Sequence, residues 1–305
     1  MQKILVVFFS QSGQLRSILE RVVAPLEGTT SITWERIRPE RPYPFPWTLQ
    51  TFFDTFPESV KGIPCELQPA GFEPSVEYDL VILGYQPWYL SPSIPFSSFL
   101  KSEAGRRVLR GARVITVIGC RNMWLTAQEK TKRLLREAGA RLCGNIVLQD
   151  PSGNLTSAIT TVYWMLTGRR DRFLGIFPKP GVRHAEVQAA ERFGRVIREK
   201  LDTGDLDRLQ PALLEEQAVS VVPYLAVLEQ RASRIFEIWS SFILKQGGPG
   251  HGARRRRLWF FRAYLALALL IGSPLTYVIS SVVNVLRGDA LSKELAYYAG
   301  VELRD

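Results

Sequence analysis

The sequence predicts a doubly wound α/β domain on a five-stranded parallel sheet, followed by extra C-terminal helices and a membrane-anchoring hydrophobic helix. Three observations point there. Five short runs rich in Val, Ile and Leu recur along the first half of the chain, helical stretches separate most of them, and 24 residues from Ala263 to Leu286 carry no charge. The strands are expected at ILVVFF (4 to 9), SITWERI (31 to 37), DLVILGY (79 to 85), RVITVIG (113 to 119) and RLCGNIVL (141 to 148). Three of them are almost unbroken in apolar residues, which suits strands covered on both faces, as parallel strands are. Helices fit between them at 14 to 26, 94 to 109 and 126 to 139, where apolar residues recur every three or four positions.

Composition limits the function. With 305 residues and 46% hydrophobic content the chain can bury one large core with attachments. Cys65, Cys120 and Cys143 are widely spaced and form no CxxC pair, so neither a disulfide framework nor a thiolate metal site is expected. The formal charge of +10 is spread through helical stretches and reads as a solvated face, so nucleic acid is not an expected partner. The amino terminus shows no secretory signal, which places the start of the chain in the cytosol.

In a doubly wound sheet, ligands sit beyond the carboxyl ends of the strands at the topological switch point. Three loops lie there. The first, SQSGQ, offers Ser10, Gln11, Ser12 and Gln14 with Gly13 between them, ahead of a helix whose first N–H groups are free. Two readings fit it: a phosphate cradle, or a turn in which Ser12 caps the helix. It has neither GxGxxG nor GxxxxGK[ST], so a Rossmann dinucleotide site and a Walker site are both disfavoured. The second loop, YQPWYLSPSIP, brings Tyr85, Pro87, Trp88 and Tyr89, and the third, GCRNMW, brings Gly119, Cys120, Arg121, Asn122 and Trp124. Flat rings on proline-stiffened loops can stack on a flat cofactor.

The segment from Pro39 to Glu77 is too long and too aromatic for a plain connection and is read as an insertion over the ligand rim. Tyr43, Phe45, Trp47, Phe52, Phe53 and Phe56 can form an apolar channel or pack on the sheet edge. Helices are expected again at 150 to 173 and 184 to 202, closing a first domain at residue 205. An amphipathic extension covers 206 to 247, and its helix at 224 to 244 can pack on the domain or lie in a membrane interface. A basic linker follows at 248 to 257 with Arg254 to Arg257, then the anchor at 258 to 287 and a polar tail at 288 to 305. As a helix, the charge-free run spans about 36 Å, enough for a bilayer core. The arginines on its amino-terminal side place the main domain on the cytoplasmic face, with membrane lipid as a partner. Pro274 permits a kinked span or a re-entrant hairpin.

Taken together, the three loops resemble those of the flavodoxin-like fold. Over residues 1 to 150 that resemblance implies flavin mononucleotide (FMN), with Ser10, Gln11, Ser12, Gly13 and Gln14 at the phosphate. Pro87, Trp88, Tyr89, Gly119, Cys120, Arg121, Asn122 and Trp124 would then hold the ring. Gln14 stands where many flavodoxin loops carry threonine. The longer strings FFSQSGQL, ERIRPERPYPFPW, FPESVKGIPCEL, YQPWYLSPSIPFSSFL, VIGCRNMW, GNIVLQDPSGNLTS and WMLTG are similar to the bacterial dialkylresorcinol-condensing enzyme family. Condensation of acyl thioesters needs a nucleophilic cysteine with histidine partners. This chain has only His184 and His251. The resemblance therefore implies the partner step, in which a flavin enzyme oxidises an alkylated cyclohexanedione made by a separate ketosynthase to the dialkylresorcinol. At the level of residues, Cys120, Arg121, Asn122 and Tyr89 are the expected catalytic groups. Tyr85, Tyr89, Cys120 and His184 are candidates for the base, and Arg121 and Asn122 for steadying an enolate oxygen. Two other readings remain open, a membrane-tethered electron carrier and a non-enzymatic scaffold.

Overall fold

The computed structural model describes residues 1–272 and 288–304. Five strands, β1 (Gln2–Phe8), β2 (Thr30–Arg36), β3 (Leu80–Tyr85), β4 (Arg113–Cys120) and β5 (Arg141–Gln149), form one sheet in the order β2-β1-β3-β4-β5. Every neighbouring pair is parallel. That is the flavodoxin-like strand order, whose switch point lies between β1 and β3. Its crossovers are helical because two parallel strands cannot be joined by a tight turn.

Side chains alternate across the sheet, so each strand feeds two cores. Ile4, Val6 and Phe8 of β1 face a core built with α1 (Gln14–Val23), α8 (His184–Ala189), α9 (Glu191–Asp202) and α10 (Leu209–Glu215). Leu5 and Val7 face the other, built with α4 (Ile94–Lys101), α5 (Glu103–Leu109) and α6 (Leu125–Glu137). The helix expected at 94 to 109 is two helices. Ser102 separates them in an extended conformation, and its Oγ caps α5 by accepting from the N–H of Gly105.

A third, smaller core lies above the ligand rim. The insertion supplies α2 (Leu49–Asp54) and α3 (Phe56–Lys61), and the C-terminal part supplies α11 (Pro223–Leu244) and α12 (Arg255–Leu267). Phe56, Val60, Leu90, Phe236, Ile243, Leu258 and Phe261 pack together, with Phe56 and Phe261 stacked at 3.8 Å. Of the two readings of the helix at 224 to 244, the structure shows packing on the domain: Glu237 pairs with Lys61 at 2.6 Å and Lys130 at 3.3 Å.

This arrangement corrects the membrane anchor at 258 to 287 and the location on the cytoplasmic face of a membrane drawn from it. Among the described residues no helix is long and apolar enough to cross a membrane. α12 ends at Leu267 and passes into a π-helical turn at Ala268–Gly272, so it rises only about 20 Å. Its Leu258 and Phe261 face protein rather than lipid. Arg254, read as the first of four charges flanking a bilayer, is 0% exposed in an ion pair. The expected polar tail begins with α13 (Gly288–Ala299), and the tail returns to the domain: Gln210 Nε2 donates to Ala299 O at 2.7 Å and Lys132 Nζ to Glu302 O at 2.9 Å. A single crossing that left this tail on the far side is incompatible with those contacts. Residues 273 to 287, including Pro274, lie outside the described residues.

Candidate functional site

The carboxyl ends of β1, β3 and β4 open into a cavity of about 610 Å³, a volume typical of small-molecule sites. Gln11, Ser12 and Gln14 line it from the first loop, Pro87, Trp88 and Tyr89 from the second, and Gly119, Cys120 and Arg121 from the third. Thus nine residues expected at the site from sequence line one cavity. Ser10, Gly13, Asn122 and Trp124 do not line it. Trp124 is 2% exposed and belongs to the sheet core, and Asn122 is buried, donating to Ser157 Oγ at 3.1 Å.

The first loop has the features an anion needs. Gly13 precedes α1 with φ +86°, a conformation that costs an L side chain energy, and the space where a Cβ would stand is open. No side chain caps α1, so Ser12 is not its cap and the first-turn N–H groups are not taken by one. Ser10 Oγ, a donor an anion could use, is buried without a hydrogen-bond partner, whereas Gln11 spends its amide donor on Tyr43 O and Pro44 O at 3.2 and 2.8 Å and leaves only the acceptor Oε1 unpaired. Such orphaned groups cost stability unless something binds them. Gln86, with its amide oriented to satisfy both contacts, bridges Phe9 O at 2.9 Å and the N–H of Gln11 at 3.2 Å.

The side chain of Gln14, expected at the phosphate, is engaged by the chain itself. Its Oε1 accepts from the N–H of Val182 at 3.1 Å and its Nε2 donates to Val182 O at 2.9 Å. Asp150 Oδ2 accepts from the N–H of Gly181 at 2.9 Å, so the Gly181–Val182 strap is tied to the rim at two points. Nothing in the local sequence pattern of KPGV marks it as a cavity wall, because it comes close only through these long-range bonds.

The second loop is held in a strained shape. Tyr89 and Leu90 have φ of 49° and 60°, left-handed values that cost a non-glycine residue energy and are sustained only by surrounding contacts. Those contacts come from the insertion. Trp47 meets Trp88 edge-on at 5.3 Å, Tyr43 meets Trp88 at 5.0 Å, and Ser59 Oγ donates to Trp88 O at 2.9 Å. Tyr89 donates its hydroxyl to Phe52 O at 2.5 Å. Trp47, Phe52 and Phe53 line the cavity from above, whereas Phe56 belongs to the third core.

In the third loop Arg121 donates from Nη1 to Asn154 O at 2.8 Å, Asn154 Oδ1 at 2.7 Å and Ser157 Oγ at 3.3 Å. Burial pulls its guanidinium below the usual range and pushes the Cys120 thiol and the Tyr89 hydroxyl well up. Neither Cys120 nor Tyr89 therefore ionises readily near neutrality. The other candidate bases lie elsewhere: Tyr85 is buried against Phe96 and donates to Gln128 Oε1 at 2.7 Å, and His184 is exposed on α8.

A titratable group that sequence reasoning missed stands behind this loop. Glu229 of α11 is 1% exposed, and its Oε1 accepts from the N–H of Thr126 at 2.7 Å while Oε2 has no partner. Burial raises its carboxyl to about 7, against the pull of the N–H groups of Thr126 and Leu125 and of Arg121. The available signal was a lone carboxylate between Leu228 and Ala232 on an apolar helix face.

No family profile and no curated protein matches the sequence. Among solved structures the chain is similar to a flavoprotein in complex with FMN from Lactobacillus acidophilus, at 14% identity over 48% of this chain and 93% of that one, with a TM-score of 0.40. It is similar also to flavodoxin 1 from Bacillus cereus, at 16% identity over 64% and 95% with a TM-score of 0.34. A flavone reductase shares 11% identity over 66% of this chain and 63% of its own, with a TM-score of 0.35. The flavodoxin-like fold stands on the strand order and the parallel pairing described above.

Proposed function

We propose that the protein is an FMN-dependent oxidoreductase acting on an apolar small molecule. The observation that carries this reading is the convergence of the uncapped loop at 10 to 14, the aromatic loop at 87 to 89 and the loop at 119 to 121 on one cavity at the switch point. The residues present fit the cofactor. The open space at Gly13, the orphaned Ser10 hydroxyl and the free first turn of α1 suit a phosphate, and Trp88 and Tyr89 suit a flat ring. The first three solved structures compared above are named in terms of FMN, flavodoxin and flavone reduction, in keeping with this assignment.

Bound FMN would supply the two-electron acceptor. The chain's own work is binding, orientation and exclusion of water. Trp47, Phe52 and Phe53 close the cavity from the insertion side, and Arg121, fixed by Asn154 and Ser157, presents a rigid positive charge at its floor. Cys120 and Tyr89, kept protonated by burial, hold protons at the cavity wall rather than remove them. The substrate we favour is an alkylated cyclohexanedione, which on losing two hydrogens becomes a dialkylresorcinol, with the dione supplied by a separate ketosynthase. The apolar wall of Ile235, Phe236, Leu265 and Leu269 accommodates its chains.

The purified protein, incubated with FMN and desalted, should retain the visible absorbance of the flavin. A colourless protein after reconstitution overturns the reading. A synthetic dialkyl cyclohexanedione added to the loaded protein under air should yield the resorcinol by mass. Flavin retained without product, but with reduction by a one-electron donor, would mark an electron carrier instead.

A further inference from the structure

Among the described residues three arginines line the cavity, Arg121, Arg231 and Arg262, and no aspartate or glutamate does. Arg121 spends its donors on Asn154, Ser157 and Met123 Sδ. Arg231 is exposed. Arg262 differs from both. It projects from α12 with its guanidinium 4.9 Å from the centre of the Phe53 ring, and Nη2 donates to Leu49 O at 3.2 Å. Its Nε is buried without a hydrogen-bond partner. A ring and a carbonyl thus surround the charge where a carboxylate would ordinarily pair with it. Arg262 thus lines the cavity with no carboxylate partner among the described residues, which leaves its half-buried charge to an acceptor from outside the chain.

Phe53 lies against that charge, and Phe236, Leu265 and Leu269 give the same cavity an apolar lining. A planar guanidinium with fork-like donors matches a planar delocalised oxyanion better than a point charge does. We infer that the cavity takes an anionic amphiphile, its delocalised oxyanion head on Arg262 and its chain along the wall of Phe236, Leu265 and Leu269. Carboxylates and the enolates of 1,3-diketones share this chemistry. The inference deepens the proposed function and rests on it for the identity of the natural ligand. A cyclohexane-1,3-dione is a vinylogous acid and would be held as its enolate, whereas the resorcinol formed from it is a much weaker acid. Arg262 would then retain substrate and release product.

The test compares two probes of equal chain length, decanoate and 1-decanol, titrated calorimetrically into the full-length FMN-loaded protein at pH 8 below their aggregation limits. Decanoate should bind roughly tenfold more tightly, the contribution of one charge-assisted hydrogen-bonded pair. Arg262→Gln should abolish the difference while leaving decanol affinity in place, and Arg262→Lys should restore part of it. Equal affinities in the parent protein overturn the inference without requiring any variant to fold. A preference that survives in Arg262→Gln overturns it too. So does a variant that loses affinity for FMN but not for riboflavin, since Arg262 would then serve the cofactor's phosphate. Because the decanoate preference can be measured with or without flavin, failure to bind FMN and failure of this inference are separate results.

Discussion

Arg254 donates from Nη1 and Nη2 to the two carboxylate oxygens of Glu58 at 2.8 and 3.0 Å, and its Nε lies 3.0 Å from Asp54 Oδ1. Residues almost two hundred positions apart are thereby locked together, the residue that opens into α12 against the insertion helices. Both partners are buried, so removing one leaves an uncompensated charge. Arg254→Ala should cost about 3 to 5 kcal/mol in chemical denaturation. The neighbouring Arg255→Ala, at an exposed position, should cost less than about 0.5 kcal/mol. Equal effects would show that the buried pair does not hold the C-terminal helices in place.

Glu229 gives stability a pH dependence. Its carboxyl titrates near 4.5 when unfolded and at about 7 when folded, because burial disfavours the charge. Between those values the folded state holds a proton that the unfolded state has lost, so stability falls as pH rises from about 4.5 to 7. Glu229→Gln removes this titration. Relative to the parent, the variant should gain up to about 3 kcal/mol between pH 4.5 and pH 8 in urea unfolding. A constant difference across that range would assign the group an ordinary carboxylate value in the fold.

Gly194 of α9 tests how tightly the first core closes. A Cβ built there would stand 2.1 Å from Val22 O and 2.7 Å from Pro25 Cδ, so the helix approaches α1 through its backbone. Gly194→Ala should destabilise by about 1 to 3 kcal/mol, the usual cost of overpacking. In an open helix interior the same change is stabilising. A rise in melting temperature would contradict the close approach.

Ser12 separates phosphate binding from ring binding. It lies half-buried on the cavity wall in the loop assigned to the phosphate. Ser12→Ala should weaken FMN roughly tenfold by loss of one charge-assisted hydrogen bond and leave riboflavin, which lacks the phosphate, unchanged. Fluorescence titration of both flavins reads this directly. Equal losses would move the phosphate away from Ser12.

The sheet was legible because its signals are local. Runs such as ILVVFF and LVIL are apolar at every position since both faces are covered, and each expected strand lies within two residues of an observed one at either end. Strand ends then fix the loops, which is why nine expected site residues line one cavity. Trp124 did not follow, because an aromatic at the end of a loop looks the same whether it faces a cavity or the core behind it.

Residues 1 to 149 thus determined by themselves the parallel sheet and its ligand rim, through periodicities that need no partner to be read. The tertiary structure decided the rest. An apolar helix has the same local pattern whether it meets lipid, a protein core or a cavity, and only the packing of Phe261 on Phe56 and of Arg254 on Glu58 shows that the beginning of α12 covers protein. Likewise the roles of Gln14, Gly181, Glu229 and Arg262 depend on partners distant in sequence, which no spacing rule within a helix or strand can supply.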